Sequence, residues 1–123
     1  MLFAIGAPGK PLRVAQNNVN LVGANSDSPR AVIFTVPVLR KFTVYGIGTD
    51  QNAANIDLLA FHIISTQSVQ LCDRQTNTLP TDERTVPLDE IFAAGETLTL
   101  GIRNRSGAGV TPDLFVFYTD EPA

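Results

Sequence analysis

Residues that carry reactive chemistry are scarce in this chain of 123 residues, which has one Cys, one His, one Met and no Trp. A single cysteine excludes an internal disulfide framework, and one Cys with one His excludes a zinc site of nitrogen and sulfur ligands. Charge is sparse as well: 17% of residues are charged, against about 25% in an ordinary globular protein. The 9 basic and 12 acidic residues leave a net charge of −3, so there is no basic field for nonspecific nucleic-acid binding. Long apolar runs are missing too. The longest candidate, Ile56 to Ile64, is interrupted by Asp57 and His62 and falls short of the ~20 residues that span a bilayer. The opening Met1-Leu2-Phe3-Ala4-Ile5 has no basic lead-in and is broken by Gly6 and Pro8, so it does not read as a secretory signal. A soluble chain is expected.

The gap is filled by 44% hydrophobic residues and by neutral polar ones, with 12 Thr, 8 Asn, 5 Ser and 5 Gln. That much apolar material argues against disorder and suffices for the core of one domain spanning 1–123. Its arrangement has a period of two. Ala31 to Val36 is β-branched and aromatic between Pro29 and Pro37, and Pro37 marks a bend into a second strand from Val38 to Ile47. In that second strand Phe42 and Val44 share one face, while Thr43, Tyr45 and Ile47 share the other. Ile56 to Ser65 is apolar on both faces, as in a strand covered on both sides, and Ser68 to Cys72 follows as a short run.

Leu98, Leu100 and Ile102 alternate with Thr97, Thr99, Gly101 and Arg103, the pattern of a half-buried strand. After a loop from Asn104 to Gly109, Asp113 to Thr119 alternates again, and the two strands are expected to form a hairpin. Pro87 to Gly95 allows at most one short helix, near 87–94. Ala7–Leu12, Gly23–Pro29 and Arg74–Arg84 read as loops, and residues 1–20 as an N-terminal arm or a first strand. Six or more strands at spacings of ~10 residues, without alternating long helices, give an all-β antiparallel sandwich.

Searching for chemistry yields candidates without signatures. Gly6-Ala7-Pro8-Gly9-Lys10-Pro11 resembles a phosphate loop only superficially, because Ala4 and Pro11 stand where the motif needs Gly and Ser or Thr. His62 and Cys72 lie in successive strands and are conceivable as a dyad, although buried Cys and His more often serve packing. Asp50, Asn52, Asn55 and Asp57 offer oxygen ligands within eight residues, as a calcium site or equally as an Asx-rich turn. The other acids, including Asp27, Asp73, Asp82, Glu83, Asp120 and Glu121, carry no informative spacing for glycoside hydrolysis. Arg40 with Lys41, and Arg103 with Arg105, are basic pairs that meet acids of a neighbouring subunit or keep strand ends wet. Asn104-Arg105-Ser106 is a glycosylation sequon by composition alone. No catalytic, cofactor-binding or metal residues are assigned, and the reading is non-enzymatic.

The closing cadence, Gly95 through Asn104 followed by Leu114-Phe115-Val116-Phe117-Tyr118, resembles the last strands of jelly-roll virion proteins. The resemblance covers ~30 residues and implies a jelly-roll fold and a bacteriophage or virus structural subunit, a capsid-decorating or minor shell protein that oligomerises about a symmetry axis. It carries over no binding residues. Phe3 and Ile5 ahead of Gly6 and Pro8 fit an apolar arm that reaches a neighbour, or a first strand of the same domain. The expected partners are further copies and a larger assembly, with no membrane and no direct nucleic-acid contact. The alternative is a ligand-binding module for a glycan or cell-surface receptor, which would present Tyr45 or Tyr118 beside polar loops.

Overall fold

A computed structural model describes residues 12–18, 22–51, 53–78 and 85–123. Phe3, Ile5 and the Gly6–Pro11 loop lie outside the described residues, as do Asn52, Asp82 and Glu83. Among the described residues the chain forms β1 Arg13–Asn18, β2 Ser26–Asp27, β3 Ala31–Thr35, β4 Arg40–Thr49, β5 Ile56–Ile64, β6 Gln67–Gln75, β7 Thr85–Phe92, β8 Thr97–Asn104 and β9 Asp113–Pro122. One turn of 3-10 helix follows β6 at Thr76–Thr78. No helix of the described residues is long and apolar enough to cross a membrane.

All strand pairings are antiparallel, and they nest. β5 pairs with β6, β4 with β7, β2 and β3 end to end with β8, and β1 with β9. The chain is thus one long hairpin, turned at Ser65-Thr66, where Ser65 adopts the positive φ of 55° that a two-residue hairpin loop demands. This doubled ribbon is then rolled so that β9 also pairs with β4 and β8 also pairs with β5. The result is two facing sheets, β1-β9-β4-β7 and β2/β3-β8-β5-β6, the connectivity of a jelly roll. The all-β sandwich expected from the alternation is what forms.

Rolling also explains why β8 and β9 do not make the expected hairpin. Each buries an apolar stripe (Leu98, Leu100 and Ile102 on β8, Leu114 and Val116 on β9), and those stripes face each other across the core rather than along one sheet. The intervening loop therefore crosses between the sheets. In the 87–94 region, where a short helix was allowed, β7 runs as a strand through Phe92. Val86, Leu88 and Phe92 reach the core only at a period of two, with Pro87, Asp89 and Ile91 exposed between them. Pro87 is tolerated because β7 is an edge strand. Of residues 1–20, Arg13–Asn18 is a strand paired along β9.

A bulge corrects the second expected strand. Val44 pairs with Tyr118 but Gly46 pairs with Phe117, so Tyr45 is an extra residue against β9. The shift in phase returns Ile47 to the inner face with Phe42 and Val44, where it is fully buried, instead of to the face of Thr43 and Tyr45. Between the sheets Phe34 of β3 meets three rings of the opposite sheet, Phe42 at 4.9 Å, Phe92 at 5.2 Å and Tyr118 at 5.5 Å between centroids. Such pairs add about 0.5–1.5 kcal/mol each beyond the area they bury.

Two glycines are required by close approach or by φ. Gly95 closes the turn before β8 with φ of 85°, and Glu96 N–H donates back to the Ala93 carbonyl at 3.0 Å. At Gly101 a Cβ would stand 3.3 Å from the Ser28 hydroxyl, which accepts a 2.9 Å hydrogen bond from the Ile102 N–H. Ser28 thereby fills the gap in the ladder between β2 and β3.

The turn from β3 into β4 carries strain. Arg40 N–H donates to the Pro37 carbonyl at 3.2 Å, and Leu39 sits at φ of 67° while 76% exposed. A leucine in the left-handed region costs about 1–2 kcal/mol and here gains no burial in return. Leu39→Asn, which tolerates that φ, is expected to raise stability by about 0.5–1 kcal/mol in urea unfolding, and an unchanged or lower midpoint would contradict the strain.

Candidate functional site

His62 projects from β5 at the side of the sandwich where β7 ends, and it is only 4% exposed. Its ring lies 3.8 Å from that of Phe92, centroid to centroid. Nε2 is 2.7 Å from Glu96 Oε1 and Nδ1 is 3.4 Å from Glu90 Oε1. The same Glu96 oxygen accepts the Ala93 N–H at 2.9 Å, so one carboxylate holds both the turn and the imidazole. The short contact is a charge-assisted hydrogen bond and pins the β7–β8 connection to β5. Nothing in the sequence singled out Glu90 and Glu96 as partners of His62, because their meeting depends on two different elements closing over one strand.

Cys72 is not brought to this imidazole. It faces inward from β6 opposite Ala60, with Sγ 3.6 Å from the Leu58 carbonyl as its hydrogen-bond partner. Burial pushes its thiol up from 9.0 to about 11, beyond the smaller lowering effect of Arg74, so near neutrality it is a protonated, poorly nucleophilic group. The two residues of the conceivable dyad are each committed elsewhere.

The calcium candidates separate in the same way. Asp50 Oδ1 accepts the Asp113 N–H at 2.9 Å and the Gln51 side-chain amide at 3.2 Å, locking the end of β4 to the start of β9. Asp57, 5% exposed, takes Arg105 at 2.9 Å and Arg103 at 3.4 Å, so its charge is already balanced by two guanidinium groups. At Asn55 the backbone carbonyl accepts Arg105 N–H at 2.8 Å. Among the described residues no group of three or more His, Cys, Asp or Glu is placed to hold a metal ion.

Basic pairs find their acids within the chain. Arg103 on β8 lies beside Asp73 at 3.1 Å, Asp57 at 3.4 Å and Asp27 at 3.9 Å, tying β2, β8, β5 and β6 together across the outer face. Its guanidinium is pushed above its ordinary range, first by the hydrogen bond with Asp73 and then by the charge of that carboxylate. Arg40 meets Asp120 at 2.7 Å and Lys41 meets Glu121 at 3.5 Å. Arg30 lies over the Phe61 ring at 3.5 Å from its centroid and donates to Ser68 Oγ, which helps cover the outer face of β5.

Asn104, of the apparent sequon, makes five side-chain hydrogen bonds. It is 1% exposed. Its Nδ2 donates to the carbonyls of Ala108 at 2.8 Å, Gly23 at 3.2 Å and Val22 at 3.3 Å. Its Oδ1 accepts the Ser106 N–H at 3.0 Å and the Ser106 hydroxyl at 2.7 Å. A side chain so enclosed offers no nitrogen for glycosylation in the folded state. The same contacts fold the β8–β9 crossing loop onto the loop before β2.

Of the tyrosines, Tyr118 packs inward on Phe42 at 4.8 Å and Tyr45 is half-buried at the β4 bulge, so neither stands exposed as the glycan alternative expects. What faces solvent instead is aliphatic. Val14, Val32, Val38, Leu39, Ile64, Val69 and Ile91 are all exposed, with Val38 at 81%. This geometry defines an all-β jelly roll whose ion pairs, among the described residues, fasten its own strands. Comparison with known proteins found no matching family model, no matching curated protein and no matching solved structure.

Two outcomes follow from these contacts. Asn104→Ala leaves several loop carbonyls without their buried donor and is expected to cost about 2–4 kcal/mol in chemical unfolding, against less than about 0.5 kcal/mol for a typical exposed substitution. For Cys72, the folded state retains its proton after the unfolded chain has lost it. Its contribution to stability is therefore complete below pH 9.0 and declines as pH rises toward about 11. Thermal melts across that window should fall more steeply for the wild type than for Cys72→Ala, and parallel curves would refute the shift.

Proposed function

We propose that this chain is a non-enzymatic structural subunit that assembles with further copies, and that the assembly is the shell or decoration layer of a virion. One contrast carries the reading: the ionisable side chains best placed for chemistry are engaged in holding the fold, whereas large aliphatic side chains stand exposed. His62, Asp57, Glu96 and Asp50 each contact a partner within the chain. Val38 and Leu39, at 81% and 76% exposed, form the tip of the turn between β3 and β4. Exposed aliphatic groups on a β-sandwich suit contact with protein, and a chain of only 17% charged residues suits packing of like against like without electrostatic repulsion. The jelly-roll connectivity supports the virion form of the reading by likeness of fold alone.

Light scattering coupled to size exclusion, together with native mass spectrometry, tests the first half. The expected mass is an integer multiple of the chain mass, stable to dilution. A monomer at every concentration would overturn the assembly. The second half is tested by adding labelled protein to virion shells stripped of their accessory proteins, where saturable binding supports the reading and absence of binding opposes it.

A further inference from the structure

Each sheet has two lateral edges, and three of the four are covered or guarded. β1 and β3 lie against each other where the sandwich closes, and Asn17 Nδ2 donates to the Val32 carbonyl at 3.0 Å across that seam. β7 is an edge strand but carries Pro87, which has no N–H to offer, and the carboxylates of Asp89 and Glu90. Proline and charge are the devices by which edge strands resist pairing with another chain.

β6 is interrupted by a bulge at Leu71, since Cys72 pairs with Ala60 and Gln70 with Phe61, but the Gln67–Gln70 stretch ahead of the bulge is regular and carries neither proline nor charge. The strand runs for nine residues and, among the described residues, pairs with β5 alone. From Gln67 to Cys72 it holds neither a charge nor a proline, and Gln67, Ser68, Val69 and Gln70 are all exposed. The row of N–H and C=O groups along its free side has the geometry of a strand that accepts another strand.

We infer that β6 is an assembly edge, at which a second copy of this chain adds its own β6 antiparallel across a two-fold axis. The choice of a second copy rests on self-complementarity. Pairing centred on Val69 sets Val69 opposite Val69 and Ser68 opposite Gln70, within the regular stretch ahead of the Leu71 bulge, and none of these strand side chains is charged, Arg30 reaching Ser68 Oγ from β3's flank. A β-branched aliphatic pair is favourable at such a position. Asp73 and Arg74, the charged pair of the strand, fall outside this centre, and Asp73 is already held by Arg103. Ile64, exposed and opposite Gln67 on β5, extends the apolar strip beside the axis. An interface of this kind is isologous and makes one continuous sheet from two.

This inference deepens the assembly reading and rests on it, so the test separates the two. The masses of the wild type, Val69→Lys, Val69→Asp and an equimolar mixture of the two variants are compared by native mass spectrometry. Val69 is 47% exposed, and circular dichroism checks that both variants keep the fold. Like charges at the centre are expected to weaken self-association by roughly tenfold or more in each variant, and the mixture should recover it as a heterodimer. Hydrogen exchange supplies a readout that needs no variant: amides of Gln67–Gln70 in the wild type should lose protection on dilution. If the wild type assembles and both variants assemble equally well, the β6 edge is refuted while assembly stands. If the wild type is monomeric, both are refuted.

Discussion

The rolled antiparallel ladder is the constraint on which everything else in this molecule rests. β4 and β5 are each paired on both sides, once with the strand that completes their own hairpin and once with a strand from the end of the chain. That double pairing forces the two sheets face to face and aims the apolar stripes of β8 and β9 at each other. Phe34 then becomes the hinge pin of the interior, a β3 ring among Phe42, Phe92 and Tyr118 of the opposite sheet. Because each central strand depends on partners distant in sequence, no single hairpin of this fold buries its own apolar face.

Polar side chains serve the same ladder at its ends and margins. Asn104 replaces backbone partners that the crossing loop lacks, Ser28 bridges the gap between β2 and β3, and Glu96 joins a turn to His62. Arg103 and Asp57 bind strands across an outer face whose positions lie outside the two-sheet core. Few charges, used in this way, leave aliphatic groups such as Val38 and Leu39 exposed among polar ones. The proposed packing of like against like would use such a surface.

Legibility in the sequence varied with how local each feature was. The stripe of Leu98, Leu100 and Ile102 could be read directly, since side chains in a strand alternate whatever the strand pairs with. The double-sided burial of β5 was equally plain, and it holds from Ile56 to His62 while Ile64 emerges exposed. Ile47 was misplaced because a bulge at Tyr45 is a property of the β4–β9 register, and β-strand character in 85–92 was masked by Pro87, whose tolerance depends on an edge position. Of the candidate sites, the types of residue were visible and their partners were not. His62 and Cys72 stood out by rarity, yet Glu90, Glu96 and the Leu58 carbonyl decide what they do.

By itself, then, the sequence determined the composition of the core, the period of its strands and the class of fold, all consequences of local alternation and of apolar content. Only the tertiary structure decided which sheet each strand joins, that β8 and β9 face each other rather than pair, and that β6, among the described residues, pairs with β5 alone. It also converted Asp27, Asp73, Asp120 and Glu121, the two basic pairs and Asn104 into internal fasteners. The physical reason is common to all of these: they are set by register between segments far apart in the chain, and register is fixed only when two apolar faces are buried against each other.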